Sequence, residues 1–77
     1  MYTLNQLEIY ECATVTKVLA KGKLRRRFLD IGIIEGTKIK CVAISPQGDP
    51  KAYFIRGAVI ALRNSDSALI EVGDRYE

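Results

Sequence analysis

The stretch Lys23-Leu24-Arg25-Arg26-Arg27-Phe28-Leu29-Asp30-Ile31-Gly32-Ile33-Ile34-Glu35-Gly36-Thr37 runs a helical pattern, a helix stop and a strand start together without slack. Leu24, Phe28 and Ile31 recur at i, i+4 and i+7, which stacks them on one face of a helix and sends that face into a core. Successive residues are about 100° apart around a helix. Arg25, Arg26 and Arg27 therefore cannot all sit beside the apolar face, and at least two of them point to solvent or to a partner. Gly32 falls just past the last periodic residue, where a left-handed residue ends a helix and a Cβ would be penalised. The predicted helix spans about Gly22 to Ile31. Glu35-Gly36 then reads as a type II turn with glycine at the positive φ, so a strand can begin at Thr37.

Elsewhere the pattern is that of short strands. Leu4 and Leu7, three apart and preceded by Thr3 as a cap, predict one helical turn over Thr3 to Leu7. The β-branched run around Ala13 and Val15 predicts a strand from about Glu11 to Leu19. From Thr37 to Ile44, Ile39 and Cys41 alternate with Lys38 and Lys40, the pattern of a half-buried strand. Val42 and Ile44 then make the lysine face apolar, as if that end of the strand were covered or offered to a partner. Ser45 to Pro50 is a loop dense in turn formers, with Gly48 among them. Lys51 to Ile55 and Ala58 to Arg63 are strands joined by the short Arg56-Gly57 turn, hence antiparallel neighbours. Asn64 to Ser67 is a capped turn, Leu69 to Val72 a last strand, and Gly73 to Glu77 is expected to fray.

A chain of 77 residues is expected to form one domain over residues 1–77, with a small core. Its five to six strands and single inserted helix close most simply as a small, partly open barrel, since five strands in so short a chain cannot fill two sheets. No apolar run reaches the roughly 18 residues of a membrane span, and the first residues lack the basic-then-apolar order of a signal peptide. A cytoplasmic protein without membrane insertion is expected.

Inventory excludes more chemistry than it offers. There is no histidine, so the usual general base near neutral pH is missing. Asp30, Asp49, Asp66 and Glu71 are scattered singly and read as caps, turn residues or solvated charges. Cys12 and Cys41 are isolated thiols outside any CxxC unit, read as small buried hydrophobes rather than as metal ligands or a disulfide. No cofactor, metal or catalytic residue is expected. What remains is binding. Lys17, Lys21, Lys23, Arg25, Arg26 and Arg27 place six cations in eleven residues with no acid among them, a patch that attracts nucleic acid, anionic lipid or an acidic protein face, or simply solvates the helix. In Tyr53-Phe54 only one ring can enter the core, because adjacent strand residues face opposite ways; Tyr53 is read as half packed with a wet hydroxyl.

Read together, Leu4-x-x-Leu7, Ala13-x-Val15, Arg25-Arg26-Arg27-Phe28-Leu29-Asp30-Ile31-Gly32-Ile33, Glu35-Gly36-Thr37, Gly48-Asp49-Pro50, Arg56-Gly57, Ile60-Ala61-Leu62-Arg63 and Ala68-x-x-Ile70-x-Val72 resemble the FeoA domain of ferrous iron transport accessory proteins. The resemblance runs in order along essentially the whole chain, with Tyr10 standing where the family often has a glycine. It implies an SH3-like β-barrel with an inserted helix, and a small bacterial protein that modulates FeoB, the membrane Fe(II) transporter with a GTPase region, by protein contact. The same fold occurs in the C-terminal domain of DtxR-type metal-dependent regulators, the source of a family-level link to transition metals.

The adaptor so implied would be recruited by its partner to the inner face of the membrane. Lys23, Arg25 and Arg26 would steer it to an acidic face, and Ile33, Ile34, Val42 and Ile44, with Tyr53, would supply the apolar contact. Gly32, Gly36, Gly48 and Gly57 shape turns. Self-association is left open. The competing readings are a basic barrel that binds nucleic acid, a metal-responsive domain related to the C-terminal domain of DtxR-type regulators, and a module for Pro-rich peptides. A net charge of +3 falls short of a dedicated polyanion binder, so no nucleic acid is expected. The absence of tryptophan would leave the peptide groove thin.

Overall fold

The structure, a computed structural model, describes residues 2–77. Six strands form one antiparallel sheet in the order β1-β6-β2-β3-β4-β5, where β1 is Tyr2–Thr3, β2 Cys12–Val18, β3 Lys38–Ile44, β4 Lys51–Ile55, β5 Ala58–Leu62 and β6 Ile70–Tyr76. The helix α1, Gly22–Ile31, is inserted between the paired strands β2 and β3, and the single turn α2, Asn64–Ser67, carries the chain from β5 to β6. The curled sheet wraps a core of Leu4, Leu7, Val15, Phe28, Ile33, Ile39, Tyr53, Ile55, Leu62 and Ile70. This is the SH3-like barrel with one inserted helix. Among the described residues, no helix is long and apolar enough to cross a membrane.

The helix has the predicted bounds for the predicted reasons. Phe28 is buried, Leu24 and Ile31 pack against the core, and the three arginines between them are exposed. Gly32 adopts φ 99° and the Ile33 N–H returns to the Phe28 carbonyl at 2.8 Å, the six-to-one bond of a Schellman stop. The next turn closes through Thr37 N–H to Ile34 O at 3.0 Å, with Gly36 at φ 92°.

Several expectations are corrected. Val42 does not continue the alternation. The β3–β4 register slips between Cys41↔Tyr53 and Ala43↔Ala52, so Val42 is a bulge that turns Ile44 back to the side of Cys41 and Ala43 to the side of Lys40. Tyr53 has no exposed surface, whereas Phe54 is 45% exposed on the opposite face. Cys41 is buried as expected but Cys12 is only half-buried, and both thiols are free.

Residues 73–76 do not fray, since β6 runs on to Tyr76 and pairs with Cys12. Arg75 holds this end: its Nη2 lies 2.7 Å from Glu11 Oε2 and its guanidinium stacks 3.4 Å from the Tyr2 ring centre. The other oxygen of Glu11 accepts the Glu8 backbone N–H at 3.0 Å. Burial pushes the Glu11 carboxyl up, but the Glu8 N–H and the Arg75 guanidinium outweigh it and hold it below its ordinary value.

Candidate partner-binding site

The turn after α1 is pinned from three directions. Gly36 N–H donates to Val15 O and Val15 N–H to Thr37 O, both at 2.8 Å, which docks the turn on β2. The Thr37 hydroxyl donates to Gly32 O at 2.9 Å and accepts from Ile34 N–H at 3.2 Å, tying the helix end to the same turn. With the turn fixed, a groove of about 330 Å³ opens between α1 and β2, lined by Lys17, Val18, Arg25, Leu29, Ile33, Ile34 and Glu35. Its apolar floor is accessible, with Leu29 47% and Ile34 45% exposed, and Ile33 is buried beneath it.

The rim is cationic. Arg25 and Leu29 lie one turn apart on the same flank of α1, and Arg25 Nη1 reaches the Val18 carbonyl at 3.4 Å. Lys17 faces it from β2, and Glu35 is the one acid lining the groove. Lys21 and Lys23 are exposed at the start of the helix. Arg26 lies outside the groove and pairs at 3.5 Å with Asp30, both side chains largely in solvent, an arrangement that contributes little to stability.

The predicted contact residues divide accordingly. Arg25, Ile33 and Ile34 come together in the groove, Lys23 is exposed charge at the start of the same helix, and Arg26 lies outside the groove paired with Asp30. Val42 and Ile44 lie at the far end of β3, and Tyr53 belongs to the core rather than to a surface. Leu29 and Lys17, to which the sequence pattern gives no contact role, also line the groove. Leu29 carries the signal that could have found it: a leucine one residue past the core-facing Phe28, on the same flank as Arg25.

A resident transition-metal ion does not fit these residues. Among the described residues no three of His, Cys, Asp and Glu are grouped to hold one. Cys12 pairs with Lys40, the neighbour of Cys41, so the two thiols open on opposite faces of the sheet. Burial pushes the Cys41 thiol above its ordinary range, away from the thiolate that binds metal.

The model of the family described as the FeoA domain matches residues 2–73. A fusion of Fe(2+) transport protein A with the Fe(2+) transporter FeoB from Porphyromonas gingivalis is 35% identical over 69 residues, covering 90% of this chain and 8% of the fusion protein. The chain thus spans a small fraction of that relative. The solution structure of a FeoA-like protein from Clostridium acetobutylicum aligns with TM-score 0.85 at 36% identity, over 94% of this chain and 84% of that one. The zinc complex of Stenotrophomonas maltophilia FeoA, described as a prokaryotic SH3 domain protein, aligns with TM-score 0.85 at 27% identity, over 95% and 91% of the two chains.

Proposed function

The chain belongs to the FeoA domain family, one associated with ferrous iron transport and not a known enzyme family, and on that premise we propose that it is a cytoplasmic adaptor. It acts without catalysis of its own, by binding the cytosolic GTPase region of a FeoB-type transporter and modulating transport. The observation that carries this reading is the groove: an accessible apolar floor of Leu29 and Ile34 with a rim of Lys17 and Arg25, beside further exposed cations on the same helix. Such a site suits a protein surface that offers an apolar side chain ringed by acids, with the charges setting encounter rate and the floor setting residence time. Fusion of the two components in the P. gingivalis relative supports the pairing, because a covalent link keeps the domain at high effective concentration near the transporter.

The test is a titration of the domain with the FeoB GTPase region, followed by NMR, with a single-stranded oligonucleotide and Fe(II) in parallel samples. Shifts are expected at Arg25, Leu29 and Ile34 with the protein partner. Arg25→Glu combined with Arg26→Glu should slow association by roughly tenfold or more at low salt, an effect that fades as salt is raised. Unchanged affinity at low salt would remove the helix from the interface. Tighter binding of the oligonucleotide or of iron would replace the adaptor reading altogether.

A further inference from the structure

The sheet has two edges, and they are treated differently. β1 is only two residues long, and shortness is one of the ways a protein keeps an edge from recruiting another chain. β5, Ala58-Val59-Ile60-Ala61-Leu62, is five residues long, pairs with β4 alone, and carries no charge, proline or bulge.

The hairpin fixes which groups face outward. Arg56 and Gly57, at φ 49° and 89°, form a two-residue loop between the partners Ile55 and Ala58. Such a primed turn is closed by a hydrogen-bonded pair, after which bonded and non-bonded pairs alternate. Ala58, Ile60 and Leu62 therefore bond to β4. The N–H and C=O groups of Val59 and Ala61 point away from the sheet, and no backbone or side-chain bond engages them among the described residues. Beside these groups the outer face is apolar. Val59, 63% exposed, stands opposite Phe54, 45% exposed. Ala61 stands opposite Ala52, and Ala52 opposite Ala43.

Charge gives the edge a direction. At the hairpin end a recess of about 210 Å³ is lined by Cys12, Lys38, Ile39, Lys40, Phe54, Arg56, Gly57 and Tyr76, three cations and no carboxylate. At the other end Arg63 meets Asp66 at 3.6 Å. A strand added antiparallel to β5 finishes at the hairpin end beside Arg56, with Lys38 and Lys40 on β3 about 14 Å further in, three strand spacings away. A second copy of β5 would bring its own Arg63, already paired with its Asp66, to that end and so offers Arg56 no unpaired carboxylate. We propose that β5 is a docking edge for an extended apolar segment of another protein, which adds as a seventh strand antiparallel to β5 and carries acidic residues just past its C-terminal end. The Val59 and Ala61 backbone groups supply the hydrogen bonds and the Val59–Phe54 pair receives a side chain, as in other strand-addition complexes. The acids meet Arg56 in the hairpin turn, and Lys38 and Lys40 add attraction from a distance. This edge is separate from the groove beside α1.

The test uses the full chain, ¹⁵N-labelled, with an acetylated six-residue peptide of alternating threonine and valine ending in two aspartates, and its twin ending in two lysines. In the free protein the amide protons of Val59 and Ala61 should exchange fast and those of Ala58, Ile60 and Leu62 slowly. The aspartate peptide should shift and protect Val59 and Ala61, and the lysine peptide should bind at least about tenfold more weakly. Val59→Lys, which leaves every backbone group in place, should abolish binding with the rest of the spectrum unchanged. Ala61→Pro, which removes an outward N–H and no ladder bond, should do the same. Any of four results would overturn the proposal: no shift at these residues with millimolar aspartate peptide, equal binding by the lysine peptide or the Val59→Lys variant, protection of Val59 and Ala61 in the free monomer, or dimerisation that protects them without peptide.

Discussion

Tyr53 and Phe54 are adjacent aromatics on one strand, and truncating each to alanine should separate the inside of the barrel from its surface. Tyr53 has no exposed surface and its hydroxyl reaches the Leu4 carbonyl at 3.4 Å. Removing a buried aromatic ring costs about 3 to 5 kcal/mol. Against a total stability of roughly 4 to 12 kcal/mol for a chain of this length, Tyr53→Ala should come close to unfolding the protein. With about 4 to 8 °C of Tm per kcal/mol at this size, the melting temperature should fall by at least about 12 °C. Phe54 faces outward and loses mainly its cross-strand contact with Val59, so Phe54→Ala should cost less than about 1 kcal/mol. Urea unfolding followed by circular dichroism at neutral pH measures both. Equal costs, or a larger cost for Phe54, would show that the strand faces are assigned the wrong way round. Tyr53→Phe adds an alkaline control. Burial pushes the Tyr53 phenol up from 10.0 to about 12, so its contribution is full below pH 10 and is lost as pH rises toward 12, where only the unfolded chain readily releases the proton. The phenylalanine variant should lose that part of the alkaline slope.

Two further predictions concern the ends of the barrel. The Glu11 carboxyl is held below its ordinary value of 4.5, so its contribution is full above about pH 4.5 and is lost as pH falls through the folded value. Arg75→Ala should flatten this acid limb and cost about 1 to 2 kcal/mol at neutral pH, allowing for the partial exposure of the arginine; an acid limb with unaltered slope would dismiss the pair. Tyr10 sits at φ 66° and is 59% exposed. A non-glycine residue in the left-handed region costs about 1 to 2 kcal/mol, partly offset because glycine frees the unfolded chain. Tyr10→Gly should therefore raise the unfolding free energy by about 0.5 kcal/mol, and a loss of more than about 1 kcal/mol would show that the Lys40–Tyr10 contact outweighs the strain.

What could be read from the sequence was what the sequence decides locally. The α1 helix, its stop at Gly32 and the turn at Gly36 depend on spacing within a few residues, and they lie where the pattern put them. The misreadings all depend on a distant partner. Val42 becomes a bulge only because β4 pairs across it out of step, and once the step is taken Ile44 changes face. The extension of β6 to Tyr76 rests on Arg75 meeting Glu11, 64 residues away in sequence, which no local signal near Gly73 announces. For Tyr53 and Phe54 the alternation is symmetrical. Which ring goes inward is decided by the pairing of Tyr53 with Cys41 and Ile60. The groove was half legible for the same reason: the helix supplies Arg25 and Leu29, but Lys17 and Val18 come from a strand whose approach is set by the turn at Gly36.

The two surfaces differ in how much ordering a partner must undergo. The groove exists before anything binds, because the Thr37 hydroxyl and the Val15–Thr37 and Gly36–Val15 bonds hold its turn in place. A folded partner can dock there with little reorganisation on either side, and its acids can be steered in by the helix from a distance. The β5 edge is likewise a formed strand, paired with β4 along its length, but its occupant has to be extended, and a free segment gives up backbone freedom of about 1 to 2 kcal/mol per residue to become so. Short strand addition alone is therefore weak, and becomes useful when the segment is already tethered near the domain, since tethering raises its effective concentration without any new contact. A folded face in the groove and a tethered strand on β5 would then act together, the first supplying encounter and the second register.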